Sequence, residues 1–270
     1  MPRSRLLALL VPALAYAGGD LSAQVEHNAF TWQGRIPAGR WLYVKNLNGS
    51  VRVEPASGDQ VVITSDRRTQ GDADPRQVRF VAKPADDGQS VVVCAFWGAR
   101  STCDEHGYHG DYNSDNSGDH RDGSVSVEFT VRVPAGVNVS VATVNGGLDV
   151  RGATSAVVAR DVNGSVHVES SGGPVSAETV SGSVWARMGS TGDAHDLEFA
   201  SVNGSVVVEM PASLGADVDL STVNGRIDTE FPVTMSGRID PRHLRATVGD
   251  GSRHVRLRTV NGNVDLRRAS

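Results

Sequence analysis

The 270 residues carry a formal charge of −5 at pH 7, and so mild an acidity argues against a nucleic-acid partner, which needs a basic patch. Glycine is plentiful at 30 and aromatic residues are scarce at 5%; apolar patterns of period 3.6 are absent, and Val alternates with Thr and Ser. The chain therefore reads as nearly all β.

The N-terminus, MPRSRLLALLVPALAYAGGDLSAQ, sets Arg3 and Arg5 before an apolar run from Leu6 to Ala17 and then small residues. This is the layout of a secretory signal peptide over residues 1–23, with cleavage after Ala17 or Ala23. The run falls short of the roughly 20 residues that cross a bilayer, and no cysteine stands near the cleavage site to take a lipid. The expectation is an exported protein, periplasmic or extracellular, without stable membrane insertion; an uncleaved anchor is the other reading. Loss of Arg3, Arg5 and Asp20 moves the formal charge to about −6.

Residues 24–97 read as an N-terminal β region that holds the first copy of a repeat. Cys94 and Cys103 are the only cysteines. In an oxidising compartment such an isolated pair forms a disulfide, here pinning the base of the loop that follows, and no CxxC spacing favours a metal or a reactive thiol.

Residues 98–123, GARSTCDEHGYHGDYNSDNSGDHRDG, interrupt the β pattern with a polar Asp/His/Gly-rich loop. Asp111, Asn113, Asp115, Ser117, Asp119 and Asp122 fall at positions 1, 3, 5, 7, 9 and 12 of a calcium-loop spacing. Asn116 replaces the usual glycine, Asp122 is shorter than the usual Glu and no helices flank the loop, so a solvated loop is the plainer reading. His106 and His109 with Asp104, Asp111 and His120 form an alternative zinc set if the loop is ordered.

From residue 124 to 270 the chain repeats one turn. With the Asn of each NG as position zero, the copies stand at Asn48, Asn145, Asn163, Ser181 (in SG), Asn203, Asn224 and Asn261. Positions −6, −4, −1 and +3 are apolar in every copy, from Leu42, Val44, Leu47 and Val51 to Val255, Leu257, Val260 and Val264. Each unit thus has two short strands with one inward face apiece, joined by a corner expected to turn −1 inward as well. A two-residue hairpin would put −1 and +3 on opposite faces, so the pattern favours an all-β solenoid, β-helix-like, with parallel coils of roughly 20 residues. An antiparallel meander or sandwich is the alternative.

Outward positions carry the remaining signals. At +6, Arg151, Glu169, Arg187 and Glu209 are expected to stack with alternating sign as surface dressing. At +4, His167 and Trp185, with Arg187 nearby, could hold a glycan on a flat ring. Arg267 and Arg268 near the C-terminus are expected to discourage end-to-end stacking of rods.

The stretch VEFTVRVPAGVNVSVATVNGGLDV, the VNGSV series and the ending GDGSRHVRLRTVNGNVDLRRA resemble a bacterial family of candidate adhesins, a domain of unknown function built of β-strand repeats. The resemblance runs from about Phe30 to the end. It implies a β-solenoid envelope protein and no particular reaction. The sequence has no GxSxG elbow, HExxH, phosphate loop or GxGxxG, and no catalytic or cofactor-binding residue is assigned. The reading is an exported, non-enzymatic binding or adhesin-like module whose partner is a cell-surface glycan or envelope protein. The alternative is a polysaccharide-acting enzyme on the same scaffold, using outward carboxylates such as Asp149 and Asp161.

Overall fold

The computed structural model describes residues 24–25, 29–97, 101–109, 123–193, 195–234 and 240–269; the signal peptide expected over residues 1–23 lies outside them. Each repeat gives one strand to each of two long sheets, as Asn138–Ala142 and Leu148–Ala153 do. Among the described residues the upstream sheet, which takes the strands preceding the NG turns, has 10 strands, and the downstream sheet has 11. Successive coils pair in parallel and in register, Val139 on Val157 on Val175 and Val166 on Val184 on Val206. The chain is a β-solenoid, and the meander falls away because equivalent residues neighbour one another from coil to coil.

The core is the space between the two sheets. Inward positions −6, −4, +3 and +5 hold Val, Leu, Ala and Phe side chains that are almost fully buried, save at the outermost strand Ile227–Thr229. Each buried Val or Leu contributes about 1.5–3 kcal/mol, and β-branched Val suits a pleated surface with one face inward.

The corner differs from the sequence reading, and the difference has a plain cause. Period-2 alternation continues past −4, so position −2 turns inward and position −1 turns out from the third copy onward, while Leu47 of the first copy stays buried as expected and Val144 is half-buried. Val162, Val180, Val202, Val223 and Val260 are exposed, with Val223 at 53%. In five of the seven copies position −2 is a Thr or Ser whose hydroxyl donates to the carbonyl of a neighbouring coil's glycine, and in the first it is Asn46, whose amide donates to the Gly49 and Val127 carbonyls. Thr143 bonds Gly49 at 3.0 Å, Thr179 bonds Gly164 at 2.8 Å, Ser201 bonds Gly182 at 2.7 Å, Thr259 bonds Gly204 at 2.7 Å and Thr222 bonds Gly262 at 2.8 Å. Outside them the Asn side chains bond along the rod, Asn163 to Asn145 at 3.0 Å and Asn261 to Asn203 at 2.8 Å.

Glycine at +1 is demanded by this stacking. A Cβ on Gly164 would collide with the Gly146 carbonyl, and one on Gly182 with the Gly164 carbonyl. Backbone lies against backbone at every corner, so no side chain can move aside.

Both ends are closed by antiparallel strands. At the first coil, Val61–Gly71 pairs antiparallel with Gly123–Val133, and Val78–Pro84 pairs antiparallel with Val91–Trp97. Bulky rings fill the space beneath: Phe30 stacks on Phe80 at 4.7 Å and Phe80 meets Phe129 edge-on at 5.9 Å. The far end departs from simple succession. His254–Asn261 inserts between Asp196–Ala200 and Ala216–Asn224, and Val264–Arg268 inserts between Val206–Met210 and Ile227–Thr229. Arg267 and Arg268 therefore lie on an interior strand, not at an open edge. His243–Val248, antiparallel to Ala216–Asn224, covers the upstream sheet instead.

Asp161 breaks the hydroxyl series. It occupies the −2 place facing the Gly146 carbonyl; its Oδ1 accepts the Val162 N–H at 2.7 Å, while Oδ2 is buried with no hydrogen-bond partner. Oδ2 and the Gly146 oxygen crowd the same point, where a Cβ on Gly164 would sit. Two acceptors meet where the other coils have a donor. Burial accordingly raises the carboxyl from its ordinary 3.8 to about 6, against the opposing pull of the Val162 and Asn163 N–H groups. The folded state thus binds the proton more tightly than the unfolded chain, and this group's contribution to stability, full below about pH 4, is lost as pH rises through about 6.

Chemical denaturation of Asp161→Thr is expected to show a gain over the parent of about 1–3 kcal/mol at pH 7.5 that shrinks toward pH 4. A gain independent of pH would refute the protonated-donor account. In the same assay Gly182→Ala should lose about 3 kcal/mol or more. Gly58→Ala, where a Cβ meets nothing within 4 Å, should change stability by less than about 0.5 kcal/mol.

Candidate functional site

On the outer downstream face, His167 and Trp185 are register neighbours with rings stacked at 4.2 Å and 9°. The stack runs along the rod, so His167 covers one face of the indole and Val207 is the register neighbour on the other side. His167 Nε2 also lies 3.3 Å from Glu169, and Arg187 pairs with Glu209 at 3.6 Å. The three residues are brought together, as a cross-strand ladder.

The neighbouring rows are ionic. Glu169, Arg187 and Glu209 stack with alternating sign as expected, whereas Arg151 falls at a bulge and turns to Asp149 at 2.9 Å. Asp149 also faces Arg52 at 3.7 Å. Asp161 lies in the buried corner, so the two carboxyls do not share one outer groove: Asp149 is held by arginines on the downstream face, and Asp161 Oδ2 is shut away from solvent.

Beside the first coil the outer upstream face is built up by a hairpin. The strand Val91–Trp97 is apolar on both faces because a hairpin, Thr102–Cys103 with Tyr108–His109, packs on its outside. Val92, Cys94, Phe96, Ala85 and Cys103 make a second small core there, with Tyr43 and Tyr108 against it. The Cys94–Cys103 disulfide forms, with Cα atoms 6.5 Å apart, and it sits inside this second core. The loop expected over 98–123 is thus, in its described part 101–109, a folded hairpin.

Asp104 holds the hairpin tip. It accepts backbone N–H bonds from His106 at 2.8 Å and Gly107 at 3.0 Å and faces His109 Nε2 at 2.8 Å. The His109 bond, above all, holds its carboxyl well below the usual range. The zinc set read from the sequence is therefore split. His106 comes instead beside Asp86 and Glu105, the ligand atoms of the three lying within 4.8 Å of one another, while one Glu105 oxygen already accepts the Asp86 N–H at 2.8 Å. Asp111 and His120 lie outside the described residues, as does the whole calcium set of Asp111, Asn113, Asp115, Ser117, Asp119 and Asp122.

Between the hairpin and the rod runs a groove of about 500 Å³. Trp41, Tyr43 and Lys45 project from one strand as its outward positions, the rings of Trp41 and Tyr43 lying 6.0 Å apart and 22° from parallel. Tyr108 faces them from the hairpin, its hydroxyl donating to the Ala95 carbonyl at 2.9 Å. Their register neighbours are small: Asn138, Ser140 and Ala142. The drop from large to small residues across adjacent strands makes the groove. Sequence reasoning passed over Trp41, Tyr43, Lys45 and Tyr108; the available signal was WLYVK, with aromatic residues at outward places in a chain that has few.

Two parallel sheets joined by repeated glycine corners, capped at both ends, define a toastrack type of β-solenoid. The chain belongs to the Toastrack DUF4097 family, whose profile matches residues 35–267. A crystal structure of a candidate cell adhesion protein from Clostridium sporogenes aligns at 8% identity and a TM-score of 0.49, covering 88% of this chain and 99% of that one. A candidate adhesin from Bacteroides fragilis aligns at 10% identity and a TM-score of 0.28, covering 90% of this chain and 98% of that one. No curated protein matches.

Replacing Cys94 and Cys103 together by Ser should lower stability by about 2–3 kcal/mol, the loop-closure value for so short a loop. Equilibrium denaturation of the oxidised and reduced chains measures this, and equal midpoints would show that the second core holds the hairpin alone.

Proposed function

We propose that the chain is an exported, non-enzymatic binding module of the cell envelope, an adhesin-like rod that offers a preformed surface to an envelope component. The observation that carries the reading is the state of Asp149 and Asp161, the two carboxyls that the sequence offered to a glycosidase. Such an enzyme needs an acid with a raised pKa and a second carboxylate, both in reach of one bond. Asp161 has the raised pKa but a buried oxygen, and Asp149 is reachable but held by Arg52 and Arg151. The disulfide supports export, because such bonds persist where the surroundings are oxidising. The close register of the coils supports a rigid display role, since stacked repeats offer long faces without a mobile lid.

The test pairs binding with turnover. The exported chain, starting at Gly18 or Gln24, is expected to co-sediment saturably with envelopes from its own cells and to release no reducing ends from their polysaccharide. Steady release of reducing ends, abolished by Asp149→Asn, would replace this reading with an enzyme.

A further inference from the structure

Resting on that binding-module reading, we propose that the groove between the disulfide-held hairpin and the upstream sheet is a saccharide site, and that its ligand is an acidic sugar chain of the uronic-acid type. A pyranose presents a flat C–H face and a rim of hydroxyls. The groove answers both. Trp41 and Tyr43 offer two near-parallel rings stacked 6.0 Å apart, aromatic surface of the kind on which sugar C–H faces stack. The volume of about 500 Å³ falls in the range of small-ligand sites, which combine apolar walls with a few convergent polar groups.

The walls are fixed before any ligand arrives. Tyr108 is tied through its hydroxyl to Ala95, and its ring packs on the second core with Tyr43. The hairpin is held by the disulfide and by the Asp104 turn. Little ordering cost is left for binding to overcome.

Charge selects the acid. Lys45 projects into the groove from the same strand as the two rings, and among the described residues its ammonium has no ion-pair partner. Burial lowers its pKa, while Asp104 and Glu105 act on it from farther away. A half-buried ammonium without a close counter-ion is a place where a ligand carboxylate gains most. Arg160 lies on the same side, 3.7 Å from Glu178. Glu105, with one oxygen taken by the Asp86 N–H, has the other for a sugar hydroxyl.

Titration calorimetry of the exported chain with a galacturonic acid tetramer and with a galactose tetramer decides the matter. The acidic tetramer is expected to bind at least tenfold tighter than the neutral one. Trp41→Ala should weaken it tenfold or more, with Trp41→Leu as the variant that keeps the site apolar and removes only the ring. Lys45→Met should erase the preference for the acid. Unchanged thermal midpoints in the variants separate lost binding from lost fold. Equal affinity for the two tetramers, no binding of either, or full binding by Trp41→Ala would each overturn the proposal. Envelope binding that survives Trp41→Ala would overturn it while leaving the binding-module reading in place.

Discussion

Everything in this structure depends on how closely one coil's corner can lie on the next. At the stacked turns a glycine rests against the backbone carbonyl of the neighbouring coil's glycine, or for Gly49 against that of Val127, with no room for a Cβ. That contact lets the strands on both sides of the corner reach ladder spacing in the same register. The carbonyl it buries must then be satisfied, and the −2 hydroxyl does so from inside. Close approach, register and the inward hydroxyl are one constraint seen from three sides. The valines at −1 then have no inward place left to occupy.

The constraint also shows why Asp161 stands out. A hydroxyl in that place has a proton to give at any pH, whereas a carboxyl has one only when protonated. The raised pKa follows from putting an acceptor where a donor belongs. The corner that tolerates this lies beside the aromatic groove, which Asp161 and Val162 help to line.

The two outer faces obey different rules. On the downstream face charged and aromatic residues pair along or across strands, as Arg151 does with Asp149 and His167 with Trp185, and these pairs even out the surface. On the upstream face the first coil carries two large rings and a lysine next to a coil with small residues, and a second core raises the hairpin beside them. Relief arises where neighbouring coils are unequal. The groove at the first coil is the one that sets aromatic rings beside Lys45.

The sequence by itself determined the coil. Apolar residues at −6, −4 and +3 in every copy and at +5 in all but one, with a glycine-bearing turn between, admit a parallel stack and disfavour a tight hairpin, because period-2 alternation fixes which side chains share a face. The disulfide was legible from two cysteines in a chain that reads as exported. The inward residue of the corner was not, since hydrophobicity pointed to valine at −1, and a buried Thr looks like a surface residue until the carbonyl it serves is known. The order of the last coils was not legible either, because interchangeable copies carry no address and only the tertiary structure places 254–268 beneath 216–229. The groove likewise needed the fold. Trp41, Tyr43 and Lys45 are far in sequence from Tyr108 and from the small residues of the next coil, and only stacking and the hairpin bring them together.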